Sequence, residues 1–198
     1  MKLPKLRELK EALKSVFSKP YTTKYPFGPA NIHPRFRGRP APQDSCVGCT
    51  GCASYCPAGA IEIVDDIEHK KRTVIWHYDI CIMCGECERI CTVGDGVKMV
   101  PEFELAGFDR AELSDKSENE LVLCDSCGEI IGTKAHIMWM MSKTEEKQAA
   151  SLPYVITKMR QIDMADDVEK EISLDKRDDL FVLTCPKCRH QVILYDAQ

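Results

Sequence analysis

The stretch "DSCVGCTGCASYCPAGAIEIV", residues 44–64, spaces four cysteines by three, three and four positions. The stretch "DICIMCGECERICTVGDGVKMV", residues 79–100, repeats this pattern. Between the two copies, "AIEIV" and "RTVIWHY" alternate apolar and polar residues around the polar turn "DDIEHKK", which predicts a β-hairpin. Pro57 follows the fourth cysteine of the first copy, whereas Thr92 follows that of the second. Two such groups of thiols on either side of a hairpin indicate a chain organised around bound metal.

The twelve cysteines in 198 residues restrict the class of protein. Chains this rich in cysteine are either extracellular disulfide scaffolds or metal proteins. The first residues carry charges every few positions and do not resemble a secretory signal. Because the thiols occur in CxxC groups, we expect bound metal in a reducing cytoplasm. No run of 18 apolar residues is present, so we expect no transmembrane helix.

The spacing C-x2-C-x2-C-x3-C-P is typical of bacterial two-cluster ferredoxins. Three thiolates on a tight loop bind one [4Fe-4S] cluster, while the fourth begins a helix, points away and binds the other cluster. Two zinc sites or redox disulfides are the alternatives, although zinc knuckles do not need a crossed set of eight cysteines. The predicted ligands are Cys46, Cys49, Cys52 and Cys91 for one cluster, and Cys81, Cys84, Cys87 and Cys56 for the other.

The residue after the fourth cysteine suggests that the two clusters differ. A proline there fixes the backbone and removes an N–H donor. Thr92 restores the donor and adds a hydroxyl. We hypothesise that the cluster bound by Cys91 gains a hydrogen bond and has a somewhat raised potential.

A second metal site is predicted near the end of the chain. The segments "LCDSCGEII" and "LTCPKCRHQV" resemble the two halves of a zinc ribbon, in which strands bring CxxC knuckles together. Between the knuckles we predict a helical insertion, with two helices within residues 134–165 and the acidic stretch 163–179 as a solvated connection. Zinc is the preferred ion, with mononuclear iron, a third cluster or reduced thiols as alternatives. The predicted ligands are Cys124, Cys127, Cys185 and Cys188.

The N-terminal residues differ in charge from the rest of the chain. Residues 1–40 hold ten Lys or Arg against two Glu, so a local charge of +8 precedes a remainder of −12. Apolar residues at helical spacing from Leu3 to Phe17 predict an amphipathic helix that ends before Pro20. A Pro- and Gly-rich extended segment follows. Such a basic arm is expected to lie on an acidic partner subunit, on anionic lipid or, less readily, on nucleic acid.

Together these patterns predict an α+β protein. An N-terminal helix and extended docking arm (1–43) precede a two-cluster ferredoxin domain (44–105). A connecting segment (106–120), with a short helix in "PEFELAGFDRAELS", leads to a zinc-ribbon-like domain with a helical insertion (121–198). The sequence has no nucleotide-binding loop and no Ser/His/Asp grouping. We therefore expect an electron-transfer protein that is not catalytic on its own.

Several segments resemble a known family. "TTKYP", "PRFRGRP", the paired motifs and "PEFELA" are similar to the ferredoxin-type subunit of respiratory complex I and to its hydrogenase relatives. Those relatives include the iron–sulfur subunits of formate hydrogenlyase and of energy-converting membrane-bound [NiFe] hydrogenases. The resemblance covers roughly residues 10–105. The additional cysteine pairs resemble the formate hydrogenlyase type, which favours the hydrogenase branch.

This resemblance implies a two-cluster electron-transfer subunit on the cytoplasmic face of a membrane. Its partners would be hydrogenase small and large subunits, membrane-arm subunits, and an iron–sulfur or ferredoxin module that donates electrons. Arg35, Phe36 and Arg37 would contact neighbouring subunits, and the N-terminal helix would lie along the membrane arm. The alternative is the equivalent subunit of a complex I-like oxidoreductase that uses NADH or another donor.

Two further classes of function remain as alternatives. A stand-alone soluble ferredoxin would be monomeric, with no large exposed apolar surface. A zinc-ribbon regulator would bind nucleic acid through the basic arm. The acidic overall charge, and the lack of stacking aromatics among the basic residues, disfavour nucleic-acid binding.

Overall fold

A computed structural model describes residues 5–22, 24–144, 151–161 and 183–195. The chain divides into two compact units, residues 1–36 and residues 37–198. The acidic stretch predicted as a solvated connection, residues 163–179, lies outside the described residues. Among the residues described, every helix is too short or too polar to cross a membrane.

The first unit contains one helix, α1, at Leu6–Phe17. Glu8 accepts a hydrogen bond from the Lys5 backbone N–H, at 3.2 Å, and so closes the N-terminal end of the helix. Ser18, two residues before Pro20, ends it. The apolar side chains of the helix form one stripe, and each is more than half exposed: Leu6, Leu9, Leu13, Val16 and Phe17.

The second unit contains six strands and five helices within its described residues. The strands are β1 (Arg39–Pro42), β2 (Ile61–Asp66), β3 (Lys71–His77), β4 (Val97–Val100), β5 (Ser114–Leu123) and β6 (Ile130–Thr133). The helices are α2 (Gly51–Ser54), α3 (Glu86–Arg89), α4 (Lys134–Thr144), α5 (Leu152–Gln161) and α6 (Pro186–Tyr195), with a 3₁₀ turn at Arg110–Glu112.

Two antiparallel sheets organise these strands. β1 pairs with β4, and a second sheet has the order β2–β3–β5–β6. The predicted hairpin is therefore confirmed as β2 and β3, with Ile61 opposite Trp76. The buried side chains of Val74, Trp76, Tyr78 and Val97 form a core against which four cysteines pack: Cys46, Cys52, Cys87 and Cys91. The core of the fold thus lies directly beneath the cysteine motifs.

The segment predicted as a connection ends in a strand. Residues 114–123 form β5, which pairs along the whole of β3, and helix is confined to the 3₁₀ turn. Buried Asn119 and Leu121 alternate in β5 with exposed Glu118 and Glu120, so the charged residues conceal the strand pattern in the sequence. Pairing with β3 outweighs their low strand propensity. Residues 114–120 therefore belong to the sheet that contains the hairpin.

The last residues of the predicted docking arm pack with the strands that follow them. Residues 37–43 belong to the second unit, because β1 pairs with β4. The Arg39 side chain holds this strand in place. Its Nε donates to the Glu102 carboxylate at 2.6 Å, and its Nη1 donates to the Asp115 carboxylate at 2.6 Å and to the Tyr78 hydroxyl at 2.8 Å. Gly38 precedes it with a φ of 64°, where a Cβ would lie 1.8 Å from the Val100 carbonyl oxygen. The "FRGRP" segment is thus partly structural.

The C-terminal region contains the two predicted helices as α4 and α5. Cys124 and Cys127 lie in the turn between β5 and β6, as in a zinc ribbon. The second pair differs from the prediction, since Cys188 lies in α6 and no strand follows it among the described residues. One cysteine pair of this region therefore lies in the turn of a β-hairpin, and the other lies at the start of a helix.

Candidate cluster-binding sites and a four-cysteine centre

The two cysteine motifs surround two separate cavities. The first-motif cavity is lined by Cys46, Cys49, Cys52 and Cys91. The second-motif cavity is lined by Cys81, Cys84, Cys87 and Cys56. The sets cross because the third cysteine of each motif lies in a one-turn helix, α2 or α3, and the fourth emerges beyond it. The structure thus brings together the same groups of four that the spacing predicts.

Both cysteine loops have left-handed backbone conformations at equivalent positions. In the first motif Gly48 and Thr50 have φ of 61° and 65°, and in the second Met83 and Gly85 have 53° and 80°. A backbone that alternates in this way directs successive N–H groups into a concavity that binds anions, a feature of many iron–sulfur sites. The Met83 N–H, for example, donates to Cys81 Sγ at 3.4 Å. In each motif, only one of these two left-handed positions is a glycine.

The pKa values of the cysteines indicate which kind of group the two cavities can bind. Burial, followed by repulsion from Cys46 and Cys49, raises the pKa of Cys52 to about 12. Burial likewise raises the pKa of Cys87 to about 11, although a backbone N–H from Glu88 opposes the shift. Such crowded thiols ionise together only when cations neutralise them, as the irons of a cluster do. The donor set therefore fits a [4Fe-4S] group in each cavity.

Trp76 is a residue of the sites that the sequence did not assign a definite role. Its side chain is 1% exposed and contributes to the lining of both cavities. Among the described residues its indole Nε1–H has no hydrogen-bond partner. A buried donor without an acceptor is unfavourable, and cluster sulfur would offer acceptors nearby. Its place in the alternating pattern of β3 was the only sequence signal.

A separate set of four thiols, here called the four-cysteine group, lies in the C-terminal region. The Sγ atoms of its members all lie within 4.8 Å of one another, and Cys124 and Cys185 are buried whereas Cys127 is exposed. Burial opposes ionisation of Cys124, but backbone N–H groups of Cys185, Cys127 and Ser126 outweigh it and lower the pKa to about 7. The group suits one tetrahedral ion such as zinc or iron. Its members are Cys124, Cys127, Cys185 and Cys188.

Asp125 holds the two halves of the four-cysteine group together. Its carboxylate accepts a hydrogen bond from the Leu183 backbone N–H at 2.7 Å, and its own N–H donates to the Leu183 carbonyl at 2.9 Å. The same carboxylate pairs with Arg160 of α5 at 2.7 Å, and the two side chains are only 10% and 16% exposed. Sequence reasoning missed this residue, because an aspartate beside a cysteine carries no distinguishing pattern.

Comparison with known proteins places the chain in a family. Residues 45–94 match the family described as a 4Fe-4S dicluster domain. The chain is 40% identical over 121 residues to NADH-quinone oxidoreductase subunit I 2 of Geobacter metallireducens. That alignment covers 57% of this chain and 92% of the relative. The chain belongs to the NADH-quinone oxidoreductase subunit I family.

Two further proteins match this chain at lower identity. The protein from Methylococcus capsulatus is 32% identical over 129 residues, covering 61% of this chain and 75% of the relative. A solved chain of the membrane-bound sulfane sulfur reductase, an archaeal respiratory membrane complex, is 29% identical with a TM-score of 0.42. The structural alignment covers 57% of this chain and 61% of the reductase chain. The predicted resemblance to the complex I subunit is confirmed, and both relatives are named as NADH-quinone oxidoreductase subunits.

Proposed function

We propose that this subunit I-family chain transfers electrons through two [4Fe-4S] clusters and catalyses no reaction by itself. The observation that carries the proposal is the pair of cavities, each lined by three cysteines of one motif and the fourth of the other. Cys46, Cys49, Cys52 and Cys91 are assigned to one cluster. Cys81, Cys84, Cys87 and Cys56 are assigned to the other. Trp76 lines both cavities, which makes the two groups neighbours in a relay.

The host assembly we propose is a membrane-associated, complex I-like oxidoreductase. The relatives are named as subunits of NADH-quinone oxidoreductases, so we expect this chain to work within a larger assembly. The chain would be a peripheral subunit on the cytoplasmic face. It would accept electrons from an NADH-linked iron–sulfur module or a ferredoxin and pass them to a neighbouring subunit. The exposed apolar stripe of α1 and the basic charge of residues 1–40 support contact with a membrane arm or its surface.

A second candidate is the same role in a formate hydrogenlyase-like [NiFe] hydrogenase. The observation that favours it is the four-cysteine group, since the resemblance to that branch rests on these additional cysteine pairs. The alignment with the Geobacter metallireducens protein uses 92% of the relative but only 57% of this chain, so this chain carries an addition. Affinity purification of the assembled complex distinguishes the candidates: nickel and hydrogenase subunits support the second, and a quinone-reactive assembly supports the first.

In the four-cysteine group we propose a structural zinc ion, with mononuclear iron as the alternative. Four thiolates leave no open coordination position, as is typical of structural sites. The clamp of Asp125 on Leu183 and Arg160 holds the ligands in place around the ion. Metal analysis of the purified chain identifies the ion.

The experiment that tests the proposal begins with anaerobic purification and metal analysis. We expect about eight irons and about eight acid-labile sulfides per chain, as two [4Fe-4S] clusters require. Almost no sulfide together with two or more zinc ions would contradict electron transfer.

Cysteine variants test the crossed ligand sets directly. The EPR signal that changes in Cys91→Ser should be the signal that changes in Cys46→Ser, because both side chains line the first-motif cavity. The matched variant Cys56→Ser should instead alter the signal that Cys84→Ser alters. If Cys91→Ser and Cys84→Ser alter the same EPR signal, the assignment is refuted.

A further inference from the structure

A side-chain hydroxyl lies against a cysteine sulfur in one cavity. Thr92 Oγ1 is 3.3 Å from Cys49 Sγ, and both residues line the first-motif cavity. Thr92 follows Cys91, the position that Pro57 occupies after Cys56. Pro57 lines the second-motif cavity with a ring that has neither a hydroxyl nor an N–H to donate. The internal repeat is therefore asymmetric at a position that faces the cysteines.

The backbone of the first motif also lies close to this pair. Gly51 lies beside the pair, where a Cβ would be 3.8 Å from both Cys49 Sγ and Thr92 Oγ1. Two other donors to these cysteine sulfurs are backbone groups: the Ala60 N–H to Cys56 at 3.3 Å and the Met83 N–H to Cys81 at 3.4 Å. The Thr92 donor differs from them, because a substitution removes it without altering the main chain.

We propose that the Thr92 hydroxyl donates a hydrogen bond to the Cys49 thiolate and raises the reduction potential of the cluster in the first-motif cavity. The inference rests on the proposed function, since it requires that cluster. A ligating cysteine has lost its proton, so it accepts and the hydroxyl must donate. Reduction adds negative charge to the cluster and its thiolates, so a donor stabilises the reduced form more than the oxidised form. Hydrogen bonds to sulfur are a recognised determinant of cluster potential.

The test is a redox titration of the anaerobically purified holoprotein, monitored by EPR. Thr92→Val keeps the size of the side chain and removes the hydroxyl, so one cluster should titrate at a lower potential while the other is unchanged. Thr92→Ser keeps the hydroxyl and should restore the original potential. The affected signal should be the one altered by Cys46→Ser. In deuterated buffer, pulsed EPR should detect one more exchangeable deuteron near that cluster in the native protein and in Thr92→Ser than in Thr92→Val, in addition to those of backbone N–H groups.

The matched control is Ser54→Ala, which removes another exposed hydroxyl of the first motif. Ser54 Oγ donates to the Thr50 carbonyl rather than to sulfur, so both potentials should stay unchanged. The inference is overturned if Thr92→Val retains iron, sulfide and both potentials, or if Thr92→Ser lowers the potential as much as valine does. Absence of iron and sulfide from the native protein would instead refute the proposed function, which keeps the two failures distinguishable.

Discussion

At the scale of single residues, Gly96 determines how closely the chain packs behind the first-motif cavity. A Cβ at this position would lie 3.0 Å from Val93 Cγ2, 3.1 Å from Cys91 Sγ and 3.3 Å from Cys46 Cα. Gly96→Ala therefore requires its neighbours, Cys91 Sγ among them, to shift by a few tenths of an ångström. We expect the variant to hold the cluster in that cavity less well, measured as a fall of up to about half in iron and acid-labile sulfide, since each of two [4Fe-4S] clusters holds half of both.

Gly132→Ala is the matched control, because a Cβ there meets nothing within 4 Å. Iron and sulfide should stay at the native value in this variant. If Gly96→Ala keeps both clusters with an unchanged EPR spectrum, then Cys91 does not need its observed position.

The sequence predicted some features of the two sites but not others. The spacing of the cysteines was sufficient to propose both groups of four, because the number of residues between two cysteines limits which thiols can bind the same cluster. The left-handed conformations of Thr50 and Met83 could not be predicted, because such φ values are unusual for residues with a side chain. The contact between Thr92 and Cys49 also depends on tertiary structure, since the two residues belong to different motifs.

At the scale of elements, the β6–α4 junction stabilises the loop of the first motif. The Thr133 hydroxyl, at the end of β6, donates to the Val47 carbonyl, and both residues are buried. Arg72 of β3 donates to the neighbouring Gly48 carbonyl at 3.3 Å. Thr133→Val removes the first bond and leaves a buried carbonyl unpaired, at a cost of roughly 1–3 kcal/mol. We expect faster chelator-induced loss of the cluster in the first-motif cavity, measured by the decay of its EPR signal.

Thr157→Val provides the control for this prediction. Thr157 is also buried, but its hydroxyl donates to the Pro153 carbonyl at 2.7 Å within α5 and not to the loop of the first motif. Its substitution should leave the rate of cluster loss unchanged. Equal acceleration by both variants would mean that the Thr133 contact has no local effect on the loop.

Among the elements, those with a clear period were predictable and those defined by their neighbours were not. The hairpin of β2 and β3 alternates in the expected way, and α4 and α5 are apolar enough to be recognised as helices. β5 was missed because its exposed face is charged, so pairing with β3 rather than its own pattern defines it. The helical start at Pro186 also went unrecognised, since its flanking "CPKC" resembles a ribbon knuckle.

At the scale of the molecule, one sheet joins the region of the clusters to the four-cysteine group. β3 carries Trp76, which lines both cavities, while β5 leads directly into Cys124. The C-terminal region is therefore packed on the ferredoxin part, and both lie within the compact unit 37–198. The sequence could not show this, because the connecting strand was not recognised.

The four-cysteine group should nevertheless bind its metal independently of the clusters. Cys185→Ser removes a buried ligand whose backbone N–H also donates to Cys124 Sγ, at 3.2 Å. Because metal binding contributes folding free energy, we expect loss of one metal ion per chain and faster proteolysis near residues 183–195. Acid-labile sulfide should not change, since the clusters have other ligands.

His190→Ala changes an exposed neighbour of Cys188 that is not a member of the group, and it should retain the metal. A fall in sulfide in Cys185→Ser would show instead that the sheet makes cluster binding depend on the four-cysteine group.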